Sequence, residues 1–193
     1  AAFMAGIIGY GAIGAHLASM LRSLGMWVLV ADPLVDATHD GFEQCGLDEL
    51  LARSDFVLPL APATPSTANL IDGEALRAMR RGTLLVNVSR GELLDEPAVA
   101  AALDAGHLGG LAMDVGRSSD QRPSPELARR RGVIATPHLG GLTPENADAQ
   151  ALSSVEQVAA MLAGVMPPRS VNAHDASRLR SWWAANHENE ETP

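Results

Sequence analysis

The chain has 193 residues, 47% of them hydrophobic, which is enough for one complete domain with a sizeable core. Its net charge of −9 argues against a nucleic-acid-binding surface, because such surfaces are basic. The single cysteine, Cys45, excludes a disulfide framework and is interpreted as a structural thiol. Apolar runs are too short to span a membrane and the histidines lack ligand spacing. We therefore expect a cytoplasmic protein with no nucleic-acid, membrane or metal partner.

A glycine-rich turn between a strand and a helix opens the chain. An apolar strand predicted at 3–9 leads into G-Y-G-A-I-G, and a helix is predicted at 12–24. Gly9 permits the tight turn, Gly11 lets backbone N–H groups approach a pyrophosphate, and Gly14 lets the helix pack on the strand. The helix N-terminus would point its dipole at the phosphates. The pattern predicts a dinucleotide-binding site.

An acidic residue follows the second predicted strand. This strand, at 26–31, ends in Asp32, at the distance from the glycines that is typical of a ribose-binding acid. Its carboxylate can accept hydrogen bonds from both ribose hydroxyls of an adenosine and would repel a 2′-phosphate. We therefore expect NAD as the cofactor, in preference to NADP.

Apolar strands and helical stretches then alternate along the chain. Further strands are predicted at 55–60, 83–88, 109–115 and 132–136, and further helices at 47–53, 73–80, 95–105 and 144–164. Asp72 and Asp95 each precede a helical run and are predicted to cap it. Six strands with helical crossovers predict an α/β fold with a doubly wound parallel sheet (Rossmann) in three α/β/α layers. Ligands would bind at the carboxyl ends of the strands.

The composition also suggests how the domain is organised. We expect residues 1–166 to form an NAD-binding Rossmann domain. Within it, 116–131 is rich in Arg, Ser, Pro and Gln and is predicted to be a loop. Residues 167–193 are expected to hold a linker, a short helix from His174 to Ala185 and a disordered acidic tail.

Three later strands end in residues that would face the nicotinamide half of the crevice. The fourth strand closes with N-V-S-R-G, which contains Arg90, the fifth with Asp114, and the sixth with T-P-H-L-G-G, which contains His138. An arginine can pair with a carboxylate through two parallel hydrogen bonds. A histidine can take up or release a proton near neutral pH.

At these residues the sequence resembles the D-2-hydroxyacid dehydrogenase family. It matches, in order, G-x-G-x-x-G, an acid, P-x-T-x-x-T, N-x-x-R-G-x-x-x-D, a strand ending in D-V, and T-P-H-x-G. The resemblance covers residue 3 to about residue 172. It implies an NAD-dependent oxidoreductase that acts on the CH–OH group of a small 2-hydroxy acid by hydride transfer, with the 2-keto acid as the other substrate.

The resemblance also assigns roles to residues. It makes His138 the acid/base, Arg90 the group that holds the substrate carboxylate, and Asp114 an orienting group for the nicotinamide. A surface ion pair for Arg90 and a loop-capping role for Asp114 are the alternatives. The candidate cofactor-binding residues are Gly9, Gly11, Ala12, Ile13, Gly14, Asp32, Ala61, Pro62, Val88, Asp114 and Gly141.

One departure from the family concerns the partner of the histidine. In most relatives a glutamate lies five residues after the strand-end aspartate and hydrogen-bonds the catalytic histidine. This chain has Ser119 there, followed by Asp120. We expect Asp120 to supply the catalytic carboxylate if the loop is shifted by one residue; the alternative is that Ser119 or a water orients the ring.

A second departure concerns the substrate domain, which relatives build mostly from sequence before the glycine-rich turn. Only two residues precede the first strand here. We therefore expect the N-terminal substrate domain to be a missing partner, Trp182 and Trp183 to be exposed, and turnover by this chain alone to be slow or absent. A homodimer is expected because relatives commonly dimerise. The alternative function is a non-catalytic NAD-binding module, like the corepressors that share this fold.

Overall fold

The computed structural model describes residues 2–168, 170 and 173–187. Its internal contacts divide the chain into two units, Ala1–Gly140 and Gly141–Pro193. The domain boundary expected after residue 166 stays a prediction, and the expected acidic tail from 188 onward lies outside the described residues.

The strands of the first unit are β1 (Met4–Ile8), β2 (Trp27–Ala31), β3 (Glu43–Gln44), β4 (Phe56–Pro59), β5 (Leu84–Asn87), β6 (Gly110–Met113) and β7 (Val133–Ala135). Within the described residues they form one parallel sheet in the order β3-β2-β1-β4-β5-β6-β7. All six predicted strands are confirmed. The edge strand β3 was not predicted, because two residues are too few to show an apolar pattern.

The helices of the first unit are α1 (Ala12–Ser23), α2 (Leu47–Arg53), α3 (Gly73–Ala78), α4 (Glu96–Asp104) and α5 (Pro125–Ala128). The predicted caps are confirmed, since the Asp72 carboxylate accepts from two N–H groups of α3 and the Asp95 carboxylate from one of α4. The expectation that 116–131 is entirely loop is wrong, because α5 forms a short turn there.

The second unit contains α6 (Pro144–Leu162) and α7 (Ser177–His187). The helix expected from His174 begins three residues later, after a 3₁₀ turn at Ala173–Asp175. Trp183 of α7 donates a hydrogen bond from Nε1 to the Met161 carbonyl at 2.6 Å. No helix among the described residues is long and apolar enough to cross a membrane.

Both faces of the sheet are covered by helices. Successive side chains of a strand point to opposite faces, and the buried residues of β1 follow this alternation. Ile7 lies in one apolar cluster with Ala18 of α1, whereas Ile8 lies in a second cluster with Leu50 of α2. A strand buried on both faces is apolar at every position, which is why the strands read as continuous apolar runs. The three-layer α/β/α arrangement is therefore confirmed.

The strand register brings the carboxyl ends of neighbouring strands to one edge. Ile8 pairs with Ala31 on one side and with Pro59 on the other, so the segments after β1, β2 and β4 start together. Met113 pairs with Asn87 and Ala135 in the same way, so the segments after β5, β6 and β7 also meet. The edge thus carries two groups of three loops.

The loops after β5 and β6 are in close backbone contact. A Cβ atom added at Gly91 would lie 2.1 Å from the Gly116 carbonyl carbon, and one added at Gly116 would lie 2.2 Å from the Arg122 carbonyl oxygen. Real Cβ atoms do not approach backbone so closely, so both positions need glycine. The contact fixes the start of the loop that follows Arg90.

We predict that Gly91→Ala destabilises the chain by about 1–3 kcal/mol, because the added methyl group must push two backbones apart. Urea unfolding followed by circular dichroism measures the effect. Gly46→Ala is the matched control, since a Cβ atom there meets nothing within 4 Å. Equal unfolding free energies for the two variants would contradict the tight contact.

Candidate functional site

The glycine-rich turn after β1 has one side packed and one side open. Gly9 has a φ of +103°, and a Cβ atom there would lie 2.9 Å from the Ala61 backbone nitrogen. A Cβ atom at Gly14 would lie 2.2 Å from the Gly9 carbonyl oxygen, whereas one at Gly11 would meet nothing within 4 Å. Gly9 and Gly14 therefore serve the packing of the turn, and Gly11 leaves its backbone open to a ligand.

The N-terminus of α1 lies directly after this open position. Ala12 and Ile13 begin the helix and are both exposed. No side chain in the described part of the chain caps the first turn. Its free N–H groups and the helix dipole suit a phosphate group.

Asp32 follows β2 and accepts three backbone hydrogen bonds. Tyr10 N–H donates to Oδ2 at 2.7 Å, and the N–H groups of Leu34 and Val35 donate to Oδ1 at 2.7 and 3.0 Å. Burial opposes the ionised form, but the three donors outweigh it and lower the pKa of Asp32 below its usual range. The carboxylate is therefore charged at neutral pH, as repulsion of a 2′-phosphate requires.

A cavity of about 640 Å³ opens beside Asp32. Its walls come from the turn after β1, the segment after β2, the start of α2 and the segment after β4; they include Asp32, Leu34, Cys45, Ala61, Pro62 and Leu70. Most of these side chains are apolar, so the cavity can take the flat adenine end of a dinucleotide. Ala61 and Pro62 lie where the sequence placed them.

Leu34, Cys45 and Leu70 were missed as lining residues. The signal that could have placed Cys45 here is the strand β3, which was too short to predict. Burial raises the pKa of the Cys45 thiol, which keeps it protonated at neutral pH. Its place in the wall is compatible with the structural role expected of it.

The P-x-T-x-x-T motif forms a closed turn in the wall of this cavity. Thr67 Oγ1 donates to the Pro62 carbonyl oxygen at 2.6 Å and accepts from the Thr64 N–H at 2.8 Å. The Thr67 hydroxyl therefore satisfies two backbone groups of the turn, and the Thr64 hydroxyl bonds to the hydroxyl groups of Ser66 and Thr67. This gives the motif a physical role that its resemblance to the family did not supply.

Asn87 shapes the turn that presents Arg90. Its side chain is fully buried; Nδ2 donates to the Arg90 carbonyl oxygen at 2.9 Å, and Oδ1 accepts from the Ser89 N–H at 3.1 Å. Arg90 is exposed, and its Nη1 donates to the Ser89 carbonyl oxygen. No carboxylate in the described residues pairs with it, so its guanidinium group is available to a ligand. Val88 beside it is also exposed.

Asp114, at the end of β6, organises the loop that carries His138. It is only 7% exposed and accepts hydrogen bonds from Thr136 Oγ1 and from the N–H groups of Leu139 and Gly140, the last two both at 2.8 Å. Burial opposes ionisation, but these donors and the charge of His138 lower the pKa of Asp114. His138 itself has a φ of +60°, which is unfavourable for a histidine. The loop-capping alternative for Asp114 is thus observed, while contact with the nicotinamide stays a prediction.

The structure does not bring Asp120 to His138. Asp120 is exposed, accepts from Ser118 Oγ at 2.6 Å and from the Arg122 N–H at 3.2 Å, and forms an ion pair with Arg122 Nε at 3.4 Å. The reason is a tight turn in which Gln121 has a φ of +58°. The expectation that Asp120 partners the histidine is therefore not supported. No side chain in the described residues hydrogen-bonds the His138 ring.

Gly141 belongs to the second unit, so its place relative to the other predicted residues is not described. There, Asn146 Nδ2 donates to its carbonyl oxygen at 2.7 Å. Among the described residues, no three histidine, cysteine or acidic side chains lie close enough to hold a metal ion.

Comparison with known proteins agrees with an NAD-binding domain. Residues 3–140 match the family model described as D-isomer specific 2-hydroxyacid dehydrogenase, NAD binding domain. The chain is 41% identical over 172 residues to D-3-phosphoglycerate dehydrogenase of Mycobacterium tuberculosis, a match that covers 86% of this chain and 32% of that enzyme. It is 38% identical over 157 residues to (S)-sulfolactate dehydrogenase of Chromohalobacter salexigens, covering 79% of this chain and 51% of that enzyme. The chain thus spans about a third to a half of the length of these relatives.

A solved structure agrees with the sequence comparison. D-lactate dehydrogenase from Aquifex aeolicus, crystallised with NAD and lactic acid, superposes with a TM-score of 0.73 at 28% identity. The match covers 84% of this chain and 54% of that one. The open glycine turn, the cavity and the charged Asp32 all fit NAD in the same fold.

We predict that Asp114→Asn lowers the free energy of unfolding at pH 7 by about 1–3 kcal/mol, because the three donors to this buried carboxylate lose their charged acceptor. The pKa of Asp114 is lower in the folded than in the unfolded chain. Its stabilising contribution is therefore complete above the unfolded value, roughly 3.9, and is lost as the pH falls through the folded value. Urea unfolding from pH 7 to pH 3 should show the wild type and the variant converging in acid.

Asp120→Asn is the matched control, because it makes the same chemical change at an exposed carboxylate, four residues after Gly116. It should leave the urea midpoint nearly unchanged. A larger loss of unfolding free energy for Asp120→Asn than for Asp114→Asn would contradict the stabilising role given to Asp114.

Proposed function

Because the chain belongs to the D-isomer specific 2-hydroxyacid dehydrogenase family, with its NAD-binding domain at residues 3–140, we propose that it serves the NAD-dependent oxidation of a small 2-hydroxy acid and the reverse reduction. The observation that carries this proposal is the placement of Arg90 and His138 on loops after β5 and β7. The intervening strand, β6, ends in Asp114, whose carboxylate holds the histidine loop.

The proposed roles follow from the chemistry of the reaction. NAD, when bound, accepts the hydride from the substrate carbon. His138 takes the hydroxyl proton during oxidation and returns it during reduction. Arg90, exposed and unpaired with any described carboxylate, binds the substrate carboxylate through its planar guanidinium group. A module that only binds NAD has no use for either side chain, which favours the enzyme over the non-catalytic alternative.

Asp114 is the carboxylate that interacts electrostatically with His138, because the positive charge of a protonated His138 ring lowers the pKa of Asp114. It also fixes the loop on both sides of His138 through Thr136 and Leu139. We infer that Asp114, and not Asp120, is the carboxylate on which His138 depends.

The proposed substrate class follows from the chemistry of the relatives' substrates. The relatives' names give phosphoglycerate, sulfolactate and lactate as substrates; all three are 2-hydroxy carboxylates, and Arg90 would bind the carboxylate that they share. A substrate domain that closes over Arg90 and His138 is the proposed partner. The homodimer and the cytoplasmic location stay predictions from the sequence.

We predict that the chain binds NAD and binds NADP much more weakly, because Asp32 is charged and faces the cavity. Asp32→Ala removes both the repulsion of the 2′-phosphate and the hydrogen bonds to the ribose. The ratio of the NADP to the NAD dissociation constant should therefore fall by at least about tenfold. Isothermal titration calorimetry measures both constants. Asp36→Ala, which removes an exposed carboxylate of the same segment, should leave this ratio unchanged. Equal affinities of the unmodified chain for NAD and NADP would contradict the assignment.

We predict that His138→Gln lowers turnover by at least about 10²-fold in the complete natural protein, because glutamine cannot exchange the proton. NAD affinity should stay nearly unchanged, since the imidazole acts on the substrate oxygen. Formation of NADH at 340 nm with glycerate, 3-phosphoglycerate and lactate measures turnover. His39→Gln, at an exposed histidine outside the site, is the control. Retention of most activity by His138→Gln would refute the acid/base role.

A further inference from the structure

Gln44, in the edge strand β3, binds the segment that follows Asp32. Its Oε1 accepts from the Ala37 N–H at 2.7 Å, and its Nε2 donates to the carbonyl oxygens of Asp32 and Val35, both at 3.0 Å. The side-chain amide therefore uses its oxygen and both of its N–H groups on one short stretch of backbone. Such complete use holds the segment in a single conformation.

The same segment provides two of the three donors to the Asp32 carboxylate. Leu34 and Val35 donate their N–H groups to Oδ1, so Val35 is bound at its N–H by Asp32 and at its carbonyl by Gln44. Gln44 also binds the carbonyl group of Asp32 itself. The orientation of the carboxylate thus depends on backbone that Gln44 fixes.

The third donor, Tyr10, lies in the turn after β1 and not in the segment that Gln44 binds. Its hydroxyl donates to Asp40 Oδ2 at 2.8 Å, and its ring packs edge-on against Phe42 with centroids 5.8 Å apart. The Tyr10 side chain is almost fully buried. Removal of Gln44 would therefore release the donors of Leu34 and Val35 while the donor of Tyr10 stays in place.

We propose that Gln44 is a positioning residue for cofactor selectivity, because it holds the Asp32 carboxylate in the direction that binds two ribose hydroxyls and opposes a 2′-phosphate. The inference rests on the proposed binding of NAD. Charge alone does not give this selectivity, since a carboxylate free to turn away loses the hydrogen bonds to NAD and also the close repulsion of NADP.

The test is a double-mutant cycle on the full chain, with dissociation constants for NAD and NADP from calorimetry, the weaker ligand by competition. Gln44→Met keeps the length of the side chain but has no amide. It should weaken the binding of NAD about tenfold and leave that of NADP nearly unchanged. The ratio of the NADP to the NAD dissociation constant should therefore fall by about tenfold. In the Asp32→Ala background the same change should alter the ratio by less than about twofold.

Glu43→Gln is the matched control, because Glu43 is the neighbouring residue of β3 and pairs with Arg53, away from the segment. It should leave the ratio unchanged. Thermal unfolding shows whether each variant is folded; should Gln44→Met unfold, Gln44→Leu, which also lacks the amide and adds no charge, provides the same comparison.

Two results would overturn the inference. Gln44→Met could weaken NAD and NADP by the same factor, which would make Gln44 a stabilising residue only. The ratio could also fall equally with and without Asp32, which would show that Gln44 does not act through the carboxylate. If the unmodified chain binds neither dinucleotide, the proposed function fails first and the inference fails with it.

Discussion

In each half of this site, a carboxylate at the end of a strand fixes a loop by accepting hydrogen bonds from backbone N–H groups. Asp32 after β2 and Asp114 after β6 each accept three hydrogen bonds, five of the six from main-chain nitrogens and one from a threonine hydroxyl. A parallel sheet brings the starts of its loops together but leaves their conformations free. In this chain the two carboxylates determine those conformations, one at the proposed adenosine end and one at the proposed catalytic end.

This construction links charge to geometry. Each carboxylate must be ionised to hold its donors, and the donors in turn lower its pKa against the effect of burial. At the catalytic end the same bonds hold His138 in a left-handed backbone conformation, which costs on the order of 1 kcal/mol or more for a non-glycine residue. Strain of this kind persists only where the surrounding contacts fix the loop, and Asp114 provides those contacts on either side of the histidine.

The sequence predicted the sheet well, because strands buried on both faces are apolar throughout and glycine, aspartate and proline mark their ends. It predicted the place of Asp32, Arg90 and His138 for the same reason, since Asp32 directly follows β2 and the other two lie three residues after the ends of β5 and β7. The sequence did not predict turns in which a side chain hydrogen-bonds the backbone of residues close to it in the chain. The turn that contains Ser118 and Gln121 pairs the Asp120 carboxylate with Ser118 and Arg122, and nothing in the residue pattern marks that turn.

The sequence also did not predict β3 or the residues that this strand places beside the cavity. A strand of two residues has no periodicity, so Gln44 and Cys45 could not be placed at the edge of the cofactor cavity. Residues that build the site without facing the ligand, such as Asn87, look like ordinary polar residues until their hydrogen bonds are seen.

If NAD binds as proposed, its adenosine lies at the Asp32 loop and its nicotinamide at the Asp114 loop. Two-dimensional ¹H–¹⁵N NMR of the chain, titrated with NAD and separately with AMP, tests it most directly. AMP should shift the amide signals of Tyr10, Leu34 and Val35 alone, whereas NAD should also shift those of Leu139 and Gly140. If NAD at saturation leaves Leu139 and Gly140 unmoved, the two carboxylates do not serve one site.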